Sequence, residues 1–169
     1  MNLKSYQMLL ALAAGLGSAN ANVPASRVQV TWAPDQQLSE VKDNPMHRGW
    51  LRPKDWEKVL ADHIAYRADR VLPPGEQLQV TIDDVKLAGA FEPWRSPDAQ
   101  DIRFLKDIYP PRMDLHYKLI DADGRVIREG TGKLRDMAYL QHTTPTSTDQ
   151  LRYDKRMIDD WMRREFAAK

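Results

Sequence analysis

Two apolar stripes at helical spacing constrain this chain more than any other feature. Trp56, Val59, Leu60, Ile64, Ala68 and Val71 recur every three or four residues, and Leu151, Met157, Ile158, Trp161, Met162 and Phe166 follow a similar rhythm further on. Each stripe predicts an amphipathic helix with one face that must be covered. Pro53 suits the first position of the earlier helix, where its missing N–H has no partner to lose. Pro73-Pro74-Gly75 stops that helix. Ser147, with Gln150 three residues on, matches a capping box opening the second helix. On the solvent side of the second helix, Asp159 with Arg163 and Asp160 with Arg164 stand at ion-pair spacing.

The cover for those stripes is written as strands. Val28, Val30 and Trp32 alternate with Arg27, Gln29 and Thr31, a half-buried strand ended by Pro34. Residues 35–52 read as a long loop. Leu78, Val80 and Ile82 alternate, but Val85 and Leu87 resume out of step, which predicts one extra residue, a β-bulge, near Asp83-Asp84. Residues 89–99 read as a loop and 101–106 as a short strand. Met113, Leu115, Tyr117 and Leu119 mark the clearest strand, Asp121 to Gly124 a turn, and Arg125 to Asp136 the returning strand. The expected fold is α+β: a two-layer sandwich in which an antiparallel sheet of about four to five strands carries both helices on one face.

The beginning of the chain reads as an export leader. Lys4 precedes the apolar run Met8 to Leu16, and Ala19-Asn20-Ala21 is a small-x-small cleavage site. Residues 1–21 are therefore expected to be a cleaved secretory signal peptide and 22–169 a single periplasmic domain. The apolar run is too short to span a bilayer, which takes about 20 residues. There is no cysteine, so neither a disulfide, nor a thiolate metal site, nor a lipid-anchored thiol is expected. The leader contains one lysine and no acid, so cleavage takes the 25 basic residues to 24, balancing 24 acidic ones. A neutral chain lacks the cationic excess of a nucleic-acid partner or an anionic membrane surface.

Several strings resemble one family. They are Val28-x-Val30-x-Trp32-x-Pro34, Leu72-Pro73-Pro74-Gly75, Leu87-Ala88-Gly89, Tyr109-Pro110-Pro111-Arg112 and Leu115-x-Tyr117-x-Leu119-x-Asp121. Gly124, Gly130, Leu134-x-Asp136, Leu151-x-Tyr153-Asp154-Lys155 and Trp161 complete the set. In their order along the chain they resemble the domain of unknown function 3016 family of exported bacterial proteins. Asp154 stands where that family has glutamate, which keeps the charge. The resemblance implies export and supplies no activity or catalytic residue.

Candidate chemistry is sparse. Asp121-Ala122-Asp123-Gly124 lacks the remaining ligands of a calcium loop and reads as a hairpin turn. His47, His63, His116 and His142 have no metal-ligand spacing, so no metal is expected. There is no G-x-S-x-G elbow, phosphate loop or dinucleotide fingerprint, so no cofactor is expected. Asp83 and Asp84 could share a face at the bulge and act as an acid/base pair.

The aromatic–arginine loops form the stronger signal. Trp50 lies between Arg48 and Arg52, Trp94 precedes Arg95, and Tyr109 leads through two prolines to Arg112. These residue types dominate binding hot spots, although tryptophans can equally plug the ends of a core. The expected function is a non-enzymatic binding or accessory protein of the cell envelope, engaging another protein or a cell-wall component. The alternative is a small-molecule binder or hydrolase using Asp83 or Asp84.

Overall fold

The computed structural model describes residues 26–44, 53–142 and 147–166. The strand β1, Val28–Trp32, leads into a short helix α1, Ser39–Asp43, and then the long helix α2, Pro53–Val71. Next come β2, Gln77–Lys86, and two two-residue strands, β3 Ala90–Phe91 and β4 Arg103–Phe104, which pair with each other. The hairpin β5, Arg112–Ile120, and β6, Val126–Arg135, precedes the last helix, α3, Arg152–Phe166. The main sheet runs in the order β1-β2-β5-β6.

Alternation sets the register. Leu78 faces Leu119, Val80 faces Tyr117 and Ile82 faces Leu115, each pair on the inner side of β2 and β5. The pairing then slips between Ile82 and Asp84 and resumes with Asp84 opposite Asp114 and Val85 opposite Met113. Asp83 is the extra residue, so the bulge stands where the broken alternation placed it.

Both helical stripes meet the inner face. Trp56, Leu60, Ile64 and Ala68 from α2 and Met157, Ile158, Trp161, Met162 and Phe166 from α3 join the strand residues in one buried cluster. Edge-on aromatic contacts pin the layers together. Tyr117 meets Trp161 at 5.9 Å and Phe166 at 5.2 Å, and Trp32 meets Trp56 at 5.4 Å. Such contacts add roughly 0.5–1.5 kcal/mol each beyond the area they bury.

The two-layer α+β sandwich is thus observed, with a sheet of mixed direction. β1 pairs with β2 in parallel, because α1 and α2 intervene and carry the chain back to the starting end. Several local readings change: the loop expected over 89–99 contains β3, and the strand expected over 101–106 is only the two residues of β4. Residues 39–43 of the expected long loop form α1, whose start is held by Asp84: its carboxylate accepts Ser39 N–H at 2.6 Å and Ser39 Oγ–H at 2.8 Å. Ser147 Oγ accepts the N–H of Asp149 rather than that of Gln150, and Asp149 in turn accepts the Leu151 N–H at 2.9 Å just ahead of α3. Asp159 reaches across to α2, meeting His63 Nε2 at 2.7 Å and Arg67 Nε at 3.0 Å, while Asp160 pairs with Arg163. The turn before β6 closes as expected, with Asp121 accepting the backbone N–H groups of Asp123 and Arg125.

Candidate functional site

Between β2 and β5 the chain leaves the sheet for residues 87–111, and the departure point carries an unusual load of polar backbone. Buried N–H and C=O groups need partners wherever a strand ends inside the protein. Here side chains supply most of them. Leu87 N–H donates to Glu40 Oε2 at 3.0 Å, Ala88 N–H to Asp154 Oδ1 at 3.0 Å, and Gly89 N–H to the Tyr109 carbonyl at 2.9 Å. The carbonyls of Leu87, Ala88 and Gly89 accept from the Arg103 guanidinium at 2.8, 2.7 and 3.0 Å. All six groups of the tripeptide are satisfied.

Arg103 can reach three carbonyls because Glu40 orients it. The guanidinium and carboxylate pair through two hydrogen bonds, at 2.6 and 3.1 Å. The side chains of Arg103 and Glu40 are only 1% and 5% exposed. A paired charge with its remaining donors filled is the form in which an ion is tolerated in the interior. Asp154, in the first turn of α3, lies against the same tripeptide and is 1% exposed. Burial pushes its carboxyl up to about 7, against a smaller opposing effect of the Ala88 N–H bond.

A second buried acid organises the outer part of the excursion. Glu92 accepts from Lys106 Nζ at 2.5 Å and from the Tyr109 hydroxyl at 2.9 Å, and pairs with Arg95 Nε at 2.8 Å. The Lys106 hydrogen bond lowers the Glu92 carboxyl, while donation to Glu92 raises the Tyr109 phenol. Arg95 also lies over the Phe104 ring at 4.8 Å. Held this way, the excursion turns apolar side chains outward: Trp94 is 73% and Ile108 71% exposed, with Ile102 and Leu105 also exposed.

The anticipated binding residues partly converge. Arg95 and Tyr109 share Glu92, and Tyr109 and Arg112 line a cleft of about 290 Å³ whose walls include Asp43, Lys86, Ile108 and Pro110. Trp94 stands in solvent on the same excursion. Trp50 lies outside the described residues. Asp83 and Asp84 do not line this cleft. Asp83 meets His116 Nδ1 at 3.0 Å on the exposed sheet face, and Asp84 is engaged by Ser39. Among the described residues, no group of three or more His, Asp or Glu side chains is placed to hold a metal ion.

Sequence reasoning gave Glu40, Glu92, Arg103 and Asp154 no role, because a single buried charge paired across distant elements leaves no periodicity. The usable signal was Leu87-Ala88-Gly89 itself: an apolar tripeptide leaving a strand requires donors and acceptors from elsewhere.

No curated protein matches the chain. Among solved structures, the dodecamer of a PelC point variant from Paraburkholderia phytofirmans is similar over 85% of this chain and 88% of that one, at 11% identity and a TM-score of 0.41. The family described as protein of unknown function (DUF3016) matches residues 26–164, and the chain belongs to it.

Proposed function

We propose that this chain is an exported, non-enzymatic binding or accessory protein of the cell envelope, and that residues 87–111 are its contact surface. The observation that carries the reading is Trp94, an indole 73% exposed on a segment anchored by the buried Arg103–Glu40 pair and by the buried Glu92 carboxylate. An aromatic side chain buries ~150–250 Å² when covered. At ~25 cal/mol per Å² that amounts to several kcal/mol for a partner that takes it up. Anchoring adds to the gain, because little conformational freedom is left to lose on binding.

The leader-like first 21 residues support an envelope location. Among the described residues, no helix is long and apolar enough to cross a membrane. A photoreactive side chain placed at position 94 tests the reading in intact cells. The expected result is a discrete crosslinked species absent when the same group replaces Arg125, which lies at the hairpin end of the sheet. Indistinguishable patterns from the two positions would overturn it.

A further inference from the structure

Three cations stand in one row across the sheet, and one of them has no counterion among the described residues. Arg112 in β5 is in register with Lys86 in β2 on one side and with Arg135 in β6 on the other. Residues directly opposite in antiparallel strands project to the same face, so like charges there repel. The outer two are neutralised: Lys86 Nζ lies 2.8 Å from Asp43 Oδ2, and Arg135 Nη1 lies 2.9 Å from Asp114 Oδ1. Among the described residues, the Arg112 side chain has no hydrogen-bond or ion-pair partner, and its Nε is shielded from water without an acceptor.

The same guanidinium lines the cleft of about 290 Å³ described above. We propose that this cleft binds an oxyanion, a carboxylate or a phosphate, attached to an apolar body. A guanidinium presents paired N–H donors in a fork matching both groups. An oxyanion there gives the Arg112 guanidinium the counter-charge that it lacks among the described residues and relieves the repulsion along the row. Ile108 and Pro110 offer apolar walls for the rest of the ligand, and the Tyr109 ring joins them. The proposal rests on residues 87–111 being a binding surface and names the chemistry that one side of it accepts.

The test is an NMR titration of the exported protein, following the Arg112 Nε–H resonance with benzoate, phenyl phosphate and neutral benzamide as probes. Expected is a saturable shift with at least one anion at roughly millimolar concentration, the range open to so small a ligand. A response to benzoate alone or to phenyl phosphate alone identifies the carboxylate or the phosphate source. Arg112→Gln should weaken that binding at least ~10-fold, the worth of a hydrogen bond to a charged group. Should Arg112→Gln fail to fold, Arg112→Lys, which keeps the charge and removes the fork, should also weaken it.

The proposal is overturned if neither anion gives a saturable shift, or if benzamide shifts Arg112 equally. Crosslinking from position 94 separates this outcome from the broader reading. Crosslinks that persist while both anions fail remove the anion site alone, whereas anion binding without discrete crosslinks supports the cleft and removes the protein-contact reading.

Discussion

Asp154, buried in the first turn of α3, accepts the backbone N–H of Ala88 at 3.0 Å across 66 positions of sequence. The bond ties the last helix to the point where the chain leaves β2. Only one oxygen is used; Oδ2 is buried without a hydrogen-bond partner, so ionisation of the group is poorly compensated. Burial raises the carboxyl from 3.8 to about 7.

A group that holds its proton more tightly folded than unfolded favours folding at low pH. Its contribution is complete below the unfolded value of 3.8 and declines as pH rises toward about 7. Asp154→Asn removes this titration while keeping an oxygen for Ala88. Unfolding free energies of the two proteins, measured across that range, should diverge by up to roughly 1.4 kcal/mol per pH unit, with the wild type falling relative to the variant as pH rises. Parallel pH profiles would refute the assignment.

Glu40 and Arg103 are the other half of the clasp, and they are expected to behave as a unit. Arg103→Ala strands Glu40 in the interior and removes the partners of three carbonyls. Breaking one side of such a pair costs about 3–5 kcal/mol. Urea titration should show that loss, and Arg103→Lys should recover little of it, since an ammonium cannot reproduce the fork. A loss below about 1 kcal/mol for the alanine variant would place the pair among dispensable surface contacts.

Gly89 and Gly124 adopt nearly the same backbone, with φ of +84° and +82°, in different surroundings. A Cβ at Gly89 would lie 2.7 Å from the Phe104 carbonyl oxygen, whereas one at Gly124 meets nothing within 4 Å. Gly124→Ala should cost only the left-handed backbone penalty of about 1–2 kcal/mol. Gly89→Ala adds a clash with backbone that cannot swing aside, so its melting temperature should fall further. Equal losses would mean that the β3–β4 pair gives way freely.

Trp94 and Trp56 separate the proposed contact role from packing. Trp94→Ala removes an exposed ring and should change stability by no more than about 0.5 kcal/mol. Trp56, 2% exposed and edge-on to Trp32, should cost about 3–5 kcal/mol as alanine. Calorimetry of both variants checks the contrast, and a large loss at Trp94 would reassign that ring to the core.

The sequence made the layers legible because burial leaves a period. The two stripes, the β5 alternation and the slip at Asp83 each follow from which side chains must avoid water, and each reappears in the structure. Strand order left no such trace: nothing in Val28-x-Val30-x-Trp32 says that β1 lies parallel to β2. Charge pairing was equally silent. Asp159 has Arg163 at helical spacing, yet it meets His63 and Arg67 of α2, because the two helices lie side by side. The aromatic–arginine strings named Trp94, Arg95, Tyr109 and Arg112, which the structure sets on or beside one excursion from the sheet. They could not reveal Glu92, which joins Arg95 to Tyr109, or Lys86, which faces Arg112 across the strands.

The proposed contact surface depends on a rigid root, and amide hydrogen exchange reads that rigidity directly. If Glu40, Asp154 and Arg103 hold the exit from β2 as their hydrogen bonds imply, the Leu87 and Ala88 amides exchange as slowly as those inside β2. Exchange of both at the rate of an open loop, with the β2 amides still protected, would contradict the clasp and the presentation of Trp94 that is built on it.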